Sequence, residues 1–146
     1  MSLAITLDGD VRVIQRLDEA VKRMGSARQP LSEIGTVMVD EFQANFNTEG
    51  RRLNEQWAAL AASTVREKAR LGYGSKPILV RTGALQHGFQ KNANKYYVRV
   101  HNPIKYFKYH QLGGPNLPRR RMIVFSERLK QEVVAVFTKF IHEAFK

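Results

Sequence analysis

The chain has 146 residues, 43% of them hydrophobic and 25% charged, with no cysteine and a formal net charge of +11. Those values fit one globular domain spanning residues 1–146 and exclude a disulfide framework, a thiolate metal site and a cysteine nucleophile. No apolar run approaches the ~20 residues of a membrane helix, and the opening MSLAITLDGD has neither a basic start nor a long apolar stretch, so a soluble protein without membrane partners or conventional export is expected.

In chain order, ITLDGD alternates apolar and polar residues and reads as a short strand or extended arm. A helix is expected over roughly 11–25, where Val13, Ile14, Leu17, Ala20, Val21 and Met24 recur at three-and-four spacing before Gly25. A second begins at Pro30, with Leu31, Ile34, Met38, Phe42 and Phe46 on one stripe, and the two are expected to pair as an N-terminal helical hairpin. After a polar stretch over 47–57, Ser63, Thr64 and Glu67 read as the cap of a short helix, STVREKARL, which Gly72, Gly74 and Pro77 end. Residues 78–89 start extended, and Thr82 is placed to cap a helical turn. FQKNANKYYVRVHN is the clearest β signal, a hairpin turning at 92–94 with Tyr97, Arg99 and His101 facing away from Tyr96, Val98 and Val100. Last, Ser126 caps a long amphipathic helix carrying Leu129, Val133, Val136, Phe137, Phe140, Ile141 and Ala144. Helices around a small antiparallel sheet make the fold class α+β.

The positive charge is unevenly placed. Residues 1–65 hold 7 Lys/Arg against 9 Asp/Glu, residues 66–130 hold 15 against 2, and residues 131–146 hold 2 against 2. A basic middle favours anionic partners, either nucleic acid or an acidic protein face. Nucleic-acid binding is the alternative reading: Arg119, Arg120 and Arg121 would contact phosphates and the neighbouring tyrosines would stack on bases. Against it, Tyr96 and Tyr97 alternate along a strand, so at least one is expected in the core.

Chemistry is thinly represented. His87, His101, His110 and His142 fall at no metal-ligand spacing, and no phosphate-cradling glycine motif occurs, so no metal or cofactor is assigned. Asp18, Glu19, Asp40 and Glu41 read as solvated helix faces rather than an acid pair. Tyr106, Tyr109 and His110 are more readily loop-packing or interface side chains than acid–base groups, and no catalytic residue is assigned.

Four short phrases remain. Gly50 precedes Trp57, Ala58 and Leu60; Thr64 precedes Lys68; Ile78 and Leu79 precede Thr82, Gly83 and Leu85; and Tyr106, His110, Gln111, Gly113 and Gly114 lead to Pro118 and Arg120. In this order they resemble the virion morphogenesis family of tailed phages, over about residues 40–125. The resemblance implies a non-enzymatic structural protein of the virion, in tail or neck, acting in tail completion or head–tail joining. It also implies homo-oligomerisation in a ring and partners among other phage tail or connector proteins, after assembly in the host cytoplasm. In a ring each subunit sets one patch against a different patch of its neighbour. Tyr106, Tyr109, His110, Pro118, Arg119, Arg120 and Arg121 are the residues expected at such an interface, with transient DNA contact as the other role for the arginines. Trp57 and the glycines are expected to anchor and shape the loops.

Overall fold

The computed structural model describes residues 25–144 together with Gln15, Arg16, Asp18, Glu19 and Lys22. The expected opening arm and the pairing of the first helix with the next lie outside the described residues; of the helix expected over 11–25, the five described residues Gln15, Arg16, Asp18, Glu19 and Lys22 are helical. From Arg28 onward the chain is α+β: α1 (Arg28–Asn47), a 3-10 turn (Arg51–Leu53), α2 (Ala62–Arg70), α3 (Ala84–His87), β1 (Gln90–Ala93), β2 (Val98–His101), α4 (Phe107–Leu112) and α5 (Glu127–Ala144).

The spine is α1. Its apolar residues recur at helical spacing, and Leu31, Ile34, Met38, Phe42 and Phe46 are all buried. Each such side chain contributes roughly 1.5–3 kcal/mol by leaving water, and the stripe makes up five of the sixteen buried hydrophobic residues among those described. Phe89, ahead of the hairpin, packs on both Phe42 and Phe46, with ring centroids 5.6 and 6.2 Å away. The hairpin, β1 antiparallel to β2 with Gln90 opposite His101 and Ala93 opposite Val98, lies across the helix. Val98 and Val100 face α1 while Arg99 and His101 face outward. Gly35 permits this crossing, because a Cβ there would sit 2.7 Å from Val98 Cγ2 and 3.1 Å from Lys91 Cδ.

The same stripe carries two polar residues. Glu41 and Asn45 are buried at positions that continue the Ile34–Met38 spacing. Glu41 is therefore not on a solvated face: its carboxylate takes paired hydrogen bonds from Arg52, Nε at 2.9 Å and Nη2 at 2.7 Å, and a third from Arg128 Nε at 3.1 Å. Buried charge persists only when paired in this way. One carboxylate thus ties α1 to the turn after it and to the start of α5. Asp18, Glu19 and Asp40 are exposed as expected.

Four local expectations are corrected. Helix α2 is capped at Ala61 without a side-chain bond, and Ser63 and Thr64 lie inside its first turn, so the capping box is unused. The hairpin turns at 94–97 rather than 92–94, because Asn94 Oδ1 accepts the N–H groups of Tyr96 and Tyr97 at 2.8 and 3.0 Å and closes the chain there. Tyr96 and Tyr97 are consequently both exposed. The cap at Ser126 is present, its Oγ accepting from Leu129 N at 3.3 Å, whereas α3 is capped by Gly83 without a side-chain bond and Thr82 Oγ1 only accepts from Ala84 N at 3.3 Å one residue ahead of it. Helix α5 buries Leu129 and Val133 fully, whereas Val136, Phe137, Phe140 and Ile141 are half-buried.

Candidate functional site

The segments that the sequence separates come together on one side of the molecule. After α1 the chain reverses through Glu49 (φ 53) and Gly50 (φ 92). Only glycine fits the second position, since a Cβ would lie 1.9 Å from the Glu55 carbonyl oxygen and 2.7 Å from Trp57 Cδ1. The reversal delivers Trp57 edge-on to Phe46, centroids 5.1 Å apart, where it is 3% exposed. Its indole N–H donates to the Arg121 carbonyl at 2.8 Å, joining the first phrase to the end of the last.

The arginine triplet does not form one exposed basic face. Arg120 is 4% exposed, unlike Arg119 beside it. Its Nε donates to the Ala58 carbonyl at 2.8 Å and its Nη2 to that of Ala59 at 3.0 Å, while its own N–H donates to the His110 carbonyl at 2.8 Å. A guanidinium suits this task because its donors diverge in one plane and can hold two successive carbonyls. Arg121 pairs with Glu55, Nε to Oε1 at 2.7 Å, and its side chain is half-buried. Arg119 is exposed, 3.9 Å from the same carboxylate.

Further tethers complete the frame. Gln111 is buried and binds the backbone on both sides: Oε1 accepts from Met122 N at 2.8 Å and Ile123 N at 3.1 Å, and Nε2 donates to the Ile123 carbonyl at 2.9 Å. Gly113 turns with φ 73 against Arg119, and Gly114 bridges to Leu117. Lys68 Nζ donates to the carbonyls of Lys76 and Pro77, both at 2.9 Å, closing the 72–77 loop back onto α2. This loop needs that tether, because α2 has no buried residue of its own.

Between α2 with its loop and the Tyr106–Arg120 segment opens a cleft of about 880 Å³. Leu60, Thr64, Lys68, Leu79, Thr82, Gly83, Leu85, Tyr106, His110, Pro118 and Arg120 all line it. Gly50, Trp57, Gln111, Gly113 and Gly114 are not on the lining and act as supports behind it. Tyr109 is exposed on α4, outside the lining. Leu79 holds φ 62, a conformation costly for a leucine, at the cleft wall. Leu71, just after α2, and Tyr106 are large side chains left exposed on its lining, and Val65 of α2 is exposed outside it.

The cleft is poor in reactive groups. Glu67 is the one carboxylate on its lining among the described residues. His110 packs edge-on to Tyr106 at 6.4 Å, and its Nδ1 is shielded from solvent without a hydrogen-bond partner. Burial, then the charge of Arg120, hold the imidazole below its ordinary pKa, so it is neutral at pH 7. No group of three or more potential metal ligands occurs among the described residues. The lining is largely apolar, with Lys68, Arg81 and Arg120 as its cations.

The phage virion morphogenesis family matches over residues 8–140, and the chain belongs to it. The family is a structural one, so the protein is a virion-associated component of phage morphogenesis. No curated protein and no solved structure matches the chain. Among the described residues no helix is long and apolar enough to cross a membrane.

Sequence reading missed the burial of Glu41, Asn45 and Arg120. For Glu41 and Asn45 a signal was present, since both fall on the apolar stripe of α1. For Arg120 none was, because its partners are main-chain carbonyls 62 and 61 residues away.

Proposed function

We propose that the protein acts in tail completion or head–tail joining as a ring-forming subunit, and that the cleft receives a segment of a neighbouring virion protein. One observation carries the reading: residues from all four family phrases line a single open cleft, and Gly50, Trp57, Gln111, Gly113 and Gly114 support its walls from behind. Helix α2 supports it: no residue of the helix is buried, and Leu71 at its end stands exposed on the cleft lining, so a wall of that kind gains burial from a partner. Assembly takes place in the host cytoplasm, ahead of incorporation in tail or neck. Arg119, Tyr106 and Tyr109, exposed beside the cleft, supply the residue types that dominate interface energetics.

Complementation tests this. In a phage lacking the gene, Leu71→Asp combined with Arg81→Glu alters two exposed cleft residues without touching the core. The variant is expected to fold with the wild-type melting temperature yet leave particles with incomplete or detached tails in electron micrographs. Full yields of infectious particles would refute the docking role.

A further inference from the structure

A second surface stands apart from the cleft, at the tip of the hairpin. From Lys68 to Ser126 the sequence holds 12 Lys/Arg and not one Asp or Glu. Nine of those cations are exposed: Arg70, Lys76, Arg81, Lys91, Lys95, Arg99, Lys105, Lys108 and Arg119. At the tip, Asn94 fixes the turn so that Tyr96 and Tyr97 point outward, 76% and 41% exposed. Lys95 Nζ lies 4.8 Å from the Tyr96 ring centroid and the Arg99 guanidinium 5.4 Å from that of Tyr97. Neither cation is in an ion pair among the described residues.

We propose that the hairpin tip, Lys95, Tyr96, Tyr97 and Arg99, is a contact site for the phosphate backbone of nucleic acid. A protein partner presents charges of both signs, and interfaces match them sign for sign. The hairpin itself, residues 90–101, contains no carboxylate, and such a tip matches a polymer of uniform negative charge. The tip adds the groups that grip it. Lysine and arginine pair with phosphate oxygens, tyrosine hydroxyls donate to them, and the outward rings can stack on unpaired bases.

The test is fluorescence anisotropy of the full chain with a labelled oligonucleotide, single-stranded and as its duplex, across a salt series. Lys95→Gln/Arg99→Gln is expected to weaken binding about tenfold and to flatten the log–log salt slope by about two. Tyr96→Ser/Tyr97→Ser is expected to weaken single-strand binding about tenfold or more if the rings stack. A matching loss on the duplex would instead assign the tyrosines to phosphates, which also supports the site. As a control of equal charge, Arg70→Gln/Lys105→Gln should cost clearly less. Equal losses from the two charge pairs would overturn the tip assignment, as would wild-type binding that ignores salt. Tip-dependent binding of polyglutamate as strong as that of DNA would overturn it too and give the tip to an acidic protein face. Failure here leaves the cleft reading untouched, since the two surfaces share no residue.

Discussion

Gly50→Ala should be among the most damaging single-atom-group additions in the molecule. An added Cβ would sit 1.9 Å from the Glu55 carbonyl oxygen and 2.7 and 2.8 Å from Trp57 Cδ1 and Nε1, on a backbone with φ +92. The left-handed conformation alone costs an alanine about 1–2 kcal/mol, partly offset by ~0.4–1 kcal/mol from a stiffer unfolded chain. Relieving a clash against backbone moves the turn, and overpacking of this kind costs about 1–3 kcal/mol. Trp57 then also loses part of its contact with Phe46 and its bond to the Arg121 carbonyl. With the tryptophan losses added the sum is about 2–5 kcal/mol, and at roughly 3 °C per kcal/mol the melting temperature should fall by about 6–15 °C. Trp57 is the only tryptophan, so its emission reports the change at the site itself. Gly72→Ala separates the causes, having φ +80 but no atom within 4 Å, and Gly114→Ala has neither obstacle. If Gly50→Ala and Gly72→Ala lose stability equally, the clash argument is wrong.

Other substitutions probe the tethers. Arg120→Lys keeps the charge but cannot hold the Ala58 and Ala59 carbonyls together; a loss of about 1–3 kcal/mol in urea unfolding is expected, against almost none for Arg119→Ser. Lys68→Met should leave the global midpoint nearly unchanged while hydrogen exchange accelerates across residues 72–77, whose carbonyls Lys68 holds. Acid stability should depend on Glu41, whose carboxyl the Arg52 hydrogen bonds hold below the ordinary range. Such a group contributes stability that is whole above its unfolded pKa of 4.5 and drains away as pH falls through the lower folded value, so Glu41→Gln should flatten that acid limb in pH-dependent urea titrations. His110 acts at milder pH. Its folded pKa is depressed, so protonation favours the unfolded chain and stability should begin to fall as pH drops through 6.5, a step that His110→Gln removes.

How much of the molecule is legible in its sequence depends on how far each signal reaches. The α1 stripe, the outward and inward faces of β2 and the Ser126 cap depend on neighbours within a turn or a strand, and pattern alone places them. The cleft depends on contacts across 60 or so residues: Trp57 to Arg121 spans 64 and Arg120 to Ala58 spans 62. No local period encodes those, and only the order of the family phrases hinted that the segments meet. An arginine reads as surface because exposure is its usual state. At Arg120 the main-chain carbonyls of Ala58 and Ala59 satisfy the guanidinium donors and reverse that expectation. The hairpin turn slipped by two residues because the Asn94 side chain, rather than a glycine, closes it.

The most direct measurement exploits the absence of cysteine. Thr64→Cys places a unique thiol on the exposed cleft lining, and maleimide labelling can be compared between free protein and purified virions. Rapid labelling in the free chain and strong protection in the particle is the expected outcome. Equal labelling in both would show the cleft empty in the virion and contradict its role in assembly.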